Sequence, residues 1–101
     1  MEQPNPTIHQ PIRLKIMAAL KALPPREWLE FTRLKAILGA TDGNLGAHLG
    51  TLEESGYVEA QKDFVRKKPR TRVRLTGAGR RAFEEYVAYL REIVEQAEQS
   101  G

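Results

Sequence analysis

The sequence predicts a mainly α-helical domain of the α+β class, with one β-hairpin and a long C-terminal helix. Two observations indicate this architecture. Apolar residues recur at helical spacing in four segments, and a stretch that alternates with the period of a strand lies between the third and the fourth. A chain of 101 residues with 41% hydrophobic and 29% charged residues has the balance of one globular domain with a single modest core.

The first helix is expected to begin near Pro11, a residue suited to a first helical turn, and to end before Pro24. Its apolar face consists of residues at helical spacing: Ile12, Ile16, Leu20 and Leu23. The residues before it include two prolines and no periodicity. We therefore expect residues 1–6 to form a flexible N-terminal arm.

Two further helices are expected to meet across a tight turn. A short extended segment at residues 28–31 leads into a second helix over residues 32–38, which Gly39 ends. Thr41 can cap the third helix, and Gly56 marks its C-terminal end. The buried stripe of this third helix has the spacing i, i+4 and i+7: Leu45, Leu49 and Leu52.

A two-stranded hairpin is expected from residues 57–64 and 71–75. Its predicted connection is a long basic tip at residues 65–70, where Pro69 opposes continued pairing. Thr76 can then cap the last helix, which is expected to run to about Gln96. Three aromatic residues are interpreted as core or rim packing: Trp28, Tyr57 and Phe64.

Positive charge is concentrated in residues 62–81. This segment holds nine Lys or Arg residues against one acid, Asp63, whereas the net charge of the whole chain is only +3. The alternation in residues 70–75 places three guanidiniums on one face of a strand, those of Arg70, Arg72 and Arg74. Successive arginines on this face would lie about 7 Å apart. This spacing suits a repeating polyanion, so nucleic acid is the first partner to consider. The alternative is a solvated edge strand whose charges discourage aggregation.

The order helix, helix, turn, helix, hairpin, helix is that of a winged helix-turn-helix domain. Residues from about His9 to Tyr86 resemble the small winged-helix transcriptional regulators of the broad MarR/ArsR-like group. The most specific parts of this resemblance are Thr-Asp-Gly-Asn at residues 41–44 and Leu-Glu-Glu-Ser-Gly-Tyr-Val at residues 52–58. The resemblance implies that residues 7–76 form a DNA-binding domain. It also implies a sequence-specific regulator of double-stranded DNA, with repression as the first expectation, that acts as a homodimer on an inverted-repeat operator.

By the same resemblance, the third helix reads the major groove through the face that its leucine stripe leaves free: Thr41, Asn44, Ala47, His48 and Thr51. No Lys or Arg occurs between Lys35 and Lys62. Because Arg and Lys make the commonest contact to guanine, this helix is expected to favour A·T-leaning sites. Phosphate contacts are expected from the hairpin and from the start of the last helix: Arg66, Lys67, Lys68, Arg70, Arg72, Arg74 and Arg80.

Two parts of this predicted interface have alternatives. His48 reads no base if it serves only as a surface or inter-helix residue. Arg80 and Arg81 occupy a first helical turn, where acids are favoured, so a nearby phosphate would satisfy them. The alternative is a pair of exposed arginines balanced by Glu84 and Glu85.

The last helix, with residues 77–101 assigned to it, has an apolar stripe that is too long for the preceding body to cover. We expect a second copy of the chain to cover it, through an interface of six residues: Phe83, Tyr86, Leu90, Ile93, Val94 and Ala97. In the alternative, the helix folds back over its own domain.

Several other classes of function lack supporting residues. The chain has no cysteine, and its two histidines lack metal-ligand spacing, so no disulfide, metal site or cofactor is expected. No phosphate-binding glycine loop or nucleophile with its base indicates an enzyme. No apolar run or signal-peptide pattern indicates a membrane, so a cytoplasmic protein is expected. The residues identify no small-molecule effector. The rival functions are a protein-interaction module and a non-specific nucleic-acid-binding protein.

Overall fold

A computed structural model describes residues 4–100 of the chain, and it confirms the predicted α+β architecture. In chain order the elements are α1 (Pro11–Lys21), β1 (Leu29–Glu30), α2 (Phe31–Leu38), α3 (Asp42–Glu54), β2 (Val58–Val65), β3 (Lys68–Leu75) and α4 (Gly77–Ser100). The strands form one antiparallel sheet in the order β1-β3-β2. The predicted two-stranded hairpin is formed by β2 and β3 and is called the wing from here on. A third strand, β1, has only two residues and pairs with β3.

Local signals define the helix ends much as the sequence predicts. Pro11 is the first residue of α1, and Gly39 follows α2 with a φ of 63°, a left-handed conformation that glycine adopts at little cost. Thr41 and Thr76 cap α3 and α4, because each hydroxyl accepts a hydrogen bond from the amide three residues further on, at 3.2 and 2.9 Å. α4 continues past the predicted end to Ser100.

The core lies between the first three helices, the sheet and the first half of α4. Its completely buried side chains are those of Ile8, Ile16, Met17, Leu34, Leu45 and Leu52. The predicted stripe of α3 is confirmed, because all three of its leucines are buried. Burial of this stripe leaves the opposite face of α3 at the surface.

The segment before α1 is anchored to the body where the structure describes it. Residues 1–3 of the predicted arm lie outside the described residues. The side-chain amide of Asn5 donates to the hydroxyl of Tyr57 at 2.9 Å, and its oxygen accepts from the backbone amide of Thr7 at 3.0 Å. Ile8 is completely buried. Asn5 therefore contacts the rest of the domain, and the flexibility of residues 1–6 stays a prediction.

The wing hairpin is tighter than predicted. β2 and β3 pair along their whole lengths and end with Val65 opposite Lys68, so only Arg66 and Lys67 form the connection. Both connecting residues have positive φ, 54° and 67°, as in the two-residue turns that match the twist of paired strands. The predicted long tip at residues 65–70 is wrong.

The position of Pro69 explains why the strands continue past it. Pro69 lies opposite Phe64. In a two-residue hairpin this second pair is not hydrogen-bonded, so the nitrogen of Pro69 faces away from β2. On that other side, β1 reaches only as far as Arg72. The missing N–H of Pro69 therefore costs no ladder hydrogen bond.

Extension of the wing beyond the body also changes the interpretation of the aromatic residues. Trp28 and Tyr57 are half-buried, as rim packing requires. Phe64 is 75% exposed, so its interpretation as core or rim packing is wrong. Strand alternation puts Phe64 on the same face as the buried Val58, but Phe64 lies near the end of the hairpin, where its side chain stays exposed to solvent.

Candidate nucleic-acid interface

The exposed face of α3 carries the five predicted recognition residues. Thr41, Asn44 and Ala47 are exposed, and His48 and Thr51 are half-buried. Spacings of three and four residues bring them onto one side of the helix. The hydroxyl of Thr51 donates to the carbonyl of Ala47 at 3.3 Å. Their contact with bases stays a prediction.

A cation from α1 contacts this face. The Nη1 atom of Arg13 lies 3.1 Å from Nδ1 of His48, and Nε of Arg13 donates to the carbonyl of Thr7. A guanidinium only donates hydrogen bonds, so Nδ1 of His48 accepts and Nε2 carries the ring proton. His48 is therefore an inter-helix residue, and it keeps one N–H for a ligand.

A second cation from α1 lies at the beginning of α3. Lys15 lines the same shallow recess as Thr41 and Asn44. Neither α1 cation was predicted, because a lone Arg or Lys beside an apolar stripe has no distinguishing pattern and only the tertiary contact identifies it. α3 itself has no Lys or Arg, so these residues provide positive charge at one edge of its exposed face.

The opposite edge of α3 borders a groove that separates it from the wing. The groove has a volume of about 260 Å³, and its lining includes Gly46 and Gly50 of α3, Ala60 and Lys62 of β2, and Thr71 of β3. A Cβ atom added at either glycine would meet no atom within 4 Å. The glycines therefore keep this groove open and are not required by packing inside the protein.

The wing tip has exposed cations. Arg66, Lys67 and Lys68 are all exposed at the two-residue turn and its closing pair. Among residues 4–100, the ion pairs of the wing involve other residues. The charge of the tip is therefore available to an external anion.

The arginines further along β3 form a ladder with β2. Arg70 donates to both carboxylate oxygens of Asp63, at 2.9 and 2.6 Å. Arg72 donates to the side-chain oxygen of Gln61 at 2.7 Å, and Arg74 pairs with Glu59. The predicted alternation of the strand is confirmed, because Val73 and Leu75 are buried and the arginines lie on the other face.

This ladder corrects the expectation of a bare cationic face. Glu59 lies outside the basic segment of residues 62–81, but the hairpin register places it opposite Arg74. The hydrogen bond from Arg70 lowers the pKa of Asp63, and Asp63 raises the pKa of Arg70, so both groups are held in their charged forms. Three arginines therefore face two carboxylates, and contact of Arg70, Arg72 and Arg74 with phosphate stays a prediction.

Trp28 packs against the same face. The guanidinium carbons of Arg74 and Arg72 lie 4.2 and 5.3 Å from the centroid of its ring. These distances are those of cation–π contacts. The indole therefore fixes the arginine side chains in place at the base of the wing.

The first turn of α4 and its cap pack closely against Gly56 and Tyr57, which follow α3. Thr76 donates its hydroxyl hydrogen to the carbonyl of Gly56 at 2.6 Å. A Cβ atom at Gly79 would lie only 2.0 Å from the carbonyl oxygen of Tyr57, so only glycine fits there. Arg80 is half-buried in this first turn, and its contact with phosphate stays a prediction.

The predicted dimer stripe of α4 divides into two parts. Tyr86 is buried in the core of its own domain, where its hydroxyl lies 2.6 Å from Nδ1 of His9. Its assignment to a dimer interface is therefore wrong, because the N-terminal segment already covers it. Phe83 and Leu90 pack partly against the core. The remaining residues of the stripe are at the surface beyond the body: Ile93, Val94 and Ala97.

Residues 4–100 contain no cluster of three or more His, Asp or Glu side chains arranged to hold a metal ion. No helix in the same range is both long enough and apolar enough to cross a membrane.

A capped helix with an exposed polar face, beside a hairpin with a cationic tip, defines the winged-helix class of DNA-binding domains. The family model described as "Winged helix DNA-binding domain" matches residues 12–94. The chain belongs to this family.

The chain is also similar to individual proteins. The chain is 43% identical over 76 residues to an uncharacterised protein of Methanocaldococcus jannaschii, with 75% of this chain and 79% of the relative covered. It is similar to the structure of a transcriptional regulator homologue from Pyrococcus horikoshii, with a TM-score of 0.80, 30% identity and coverage of 90% and 87%. It is also similar to the transcriptional repressor BigR from Xylella fastidiosa, with a TM-score of 0.60, 25% identity and coverage of 85% and 79%.

Proposed function

We propose that this protein is a sequence-specific transcriptional regulator that binds double-stranded DNA as a homodimer. One arrangement carries the proposal: the exposed, neutral face of α3 lies between the cations of α1 and those of the wing. Neutral polar side chains can read base edges, while flanking cations neutralise phosphates and fix the position of the protein on the duplex.

In this proposal α3 enters the major groove. The side-chain amide of Asn44 pairs with adenine, and the remaining N–H of His48 donates to an acceptor on a base edge. Arg13 and Lys15 contact phosphates on one side of the groove, and Arg66, Lys67 and Lys68 contact the backbone on the other. In this proposal Arg70, Arg72, Arg74 and Arg80 also contact phosphates, although the three wing arginines have partners within the sheet.

The end of α4 supports the homodimer. Val94 is 54% exposed and Ile93 is 37% exposed on a helix that extends past the body. A second copy of the same helix would bury both residues. Two-fold symmetry would then set two recognition helices about 34 Å apart, so the operator is an inverted repeat with half-sites about one helical turn apart, or a multiple of it.

The similarity to a transcriptional regulator homologue and to a transcriptional repressor supports a regulatory role, with repression as the simplest outcome. A dimer that covers about two turns of duplex blocks access to that segment without further machinery. No ligand-binding unit is needed for this mode of action.

The proposal is tested by selecting bound fragments from random duplex DNA and sequencing them. Recovery of an A·T-leaning inverted repeat is the expected result. Competition between that repeat and a random duplex then measures specificity, for which a ratio of about 10³ or more is typical of a regulator.

The absence of Lys and Arg from α3 favours a second candidate, non-specific nucleic-acid binding by the wing. In that case the selection recovers no common motif and the two duplexes compete equally. Failure to bind any duplex at low salt would reject both candidates and leave a protein-interaction module.

A further inference from the structure

The wing carries an exposed apolar pair close to its tip. Phe64, with 75% of its surface exposed, lies directly opposite Pro69. Such non-hydrogen-bonded partners have Cα atoms about 4.5 Å apart and side chains on the same face of the hairpin. The two rings therefore form one apolar projection.

The projection faces the side of the molecule on which α3 lies. Strand alternation puts Phe64 on the same face as Lys62 and Ala60, which line the groove beside α3. Val65 has the opposite orientation. A ligand that binds the exposed face of α3 and fills this groove would therefore also contact Phe64.

The charges around the projection indicate the chemical class of this ligand. Arg66, Lys67 and Lys68 follow within four positions of Phe64, and all three are exposed. An aromatic ring bordered by cations is complementary to a partner that is anionic outside and apolar inside. The minor groove of DNA has this character, because phosphates line its edges and stacked bases lie between them.

We propose that Phe64, supported by Pro69, is a wedge that enters the minor groove and partly opens a base step. This inference rests on the proposed DNA-binding function and adds a mode of recognition to it. Apolar wedges of this kind bend the duplex toward the major groove, which is where α3 would lie. The wedge would favour pyrimidine–purine steps, because these unstack most easily. The wing would thereby contribute to sequence preference without a hydrogen bond to a base.

The test uses the full chain and two hairpin-closed duplexes of about 30 base pairs that contain only A·T pairs. One duplex alternates T and A and is rich in flexible TA steps, and the other is a stiff run of adenines opposite thymines. Fluorescence anisotropy measures affinity, and energy transfer between dyes at the two ends measures bending. The wild-type protein is expected to prefer the alternating duplex on the order of tenfold and to bend it.

Phe64→Ala is expected to remove both the preference and the bending, with binding to the stiff duplex kept. Phe64→Leu is expected to retain part of both, because Leu is also an apolar wedge. The matched control is Val65→Ala, an exposed apolar residue on the opposite face, which is expected to leave preference and bending unchanged. Circular dichroism checks that each variant is folded.

The outcomes separate the wedge from the function on which it rests. If the wild-type protein binds both duplexes and Phe64→Ala changes neither their affinity ratio nor the bending, the wedge is rejected and the DNA-binding function stands. If the wild-type protein binds neither duplex nor any random duplex at low salt, the DNA-binding function itself fails. A Phe64→Ala variant that alters only the sedimentation behaviour of the chain would assign the ring to a protein contact and would also reject the wedge.

Discussion

The Nη1 atom of Arg13 lies 3.1 Å from Nδ1 of His48, so α1 and the exposed face of α3 share a polar contact. The guanidinium fixes which ring nitrogen carries the proton, because it offers only donors. The Nε2–H group of His48, on the far side of the imidazole, is thereby available to donate a hydrogen bond to a base edge. The contact links Arg13, which belongs to no recognisable sequence pattern, to His48, one of the predicted recognition residues.

Replacement of Arg13 by Ala is expected to weaken binding to the selected operator more than binding to a random duplex. Loss of the guanidinium would remove the proposed phosphate contact and also leave the tautomer of His48 unfixed, so the discrimination should fall by about 1 kcal/mol or more. Anisotropy titrations on both duplexes measure the difference. Lys21→Ala, at the other end of α1 in a surface ion pair with Glu84, is the control. Equal losses on the two duplexes would make Arg13 a backbone contact only.

The two kinds of wing cation should differ in their salt dependence. Lys68→Ala is expected to lower the slope of log affinity against log salt by about one unit, because an exposed cation releases counterions when it meets a phosphate. Arg74→Ala is expected to change the slope less, because Glu59 already pairs with Arg74. Titrations between about 50 and 200 mM salt compare the variants. A larger change for Arg74 would mean that its ion pair opens on DNA.

Gly79→Ala should destabilise the fold strongly. The new methyl group would have to move from a position 2.0 Å from the carbonyl oxygen of Tyr57, and overpacking that forces backbone to shift costs about 1 to 3 kcal/mol, or occasionally more. Urea denaturation measures the free energy of unfolding. Gly77→Ala is the matched control, since its nearest neighbour is the flexible end of Arg81 at 3.4 Å. A stable Gly79→Ala protein would show that α4 can shift away from Tyr57.

Gly46→Ala should have the opposite effect on stability. No atom lies within 4 Å of the added methyl group, and Ala is favoured over Gly by about 1 kcal/mol inside a helix. Operator binding is nevertheless expected to fall, because the methyl group enters the groove between α3 and the wing. Ala18→Gly, on the exposed side of α1, measures the helix propensity term alone. A more stable variant with full operator affinity would contradict a role for this glycine in the approach of DNA.

Val94→Asp is expected to turn the proposed dimer into a monomer. A carboxylate in the middle of an apolar interface would lose its water without gaining a partner. Sedimentation measures the state of association, and operator affinity should fall because the second half-site is no longer tethered. Gln99→Asp adds the same charge on the exposed end of α4 and is expected to leave the dimer intact. A wild-type chain that is already monomeric at micromolar concentration would reject the dimer.

The helical part of the fold could be predicted because its signals are local. The hydroxyl of Thr41, the left-handed Gly39 and the leucine spacing of α3 each act within a few residues, and the structure has all three. The wing was harder to predict. Pro69 suggests a break in a strand, and only the hydrogen-bonding register of the hairpin reveals that its nitrogen faces away from the partner strand.

The parts of the site that escaped prediction depend on distant residues. Tyr86 has the spacing of an interface residue, but His9, far away in sequence, covers it. Arg74 has the spacing of a free cation, but Glu59 lies across the ladder. A periodic pattern predicts which face of an element a side chain occupies. The partners of that side chain depend on which distant segments the fold brings together.

Trp28 is the sole tryptophan of the chain, and it lies against the arginines of the wing. Its emission therefore reports on this one region without an attached dye. Cationic neighbours at 4.2 and 5.3 Å from the ring centroid make its intensity and wavelength sensitive to any rearrangement of the ladder. The protein thus contains its own optical probe, with which the wing can be followed in real time as DNA is added.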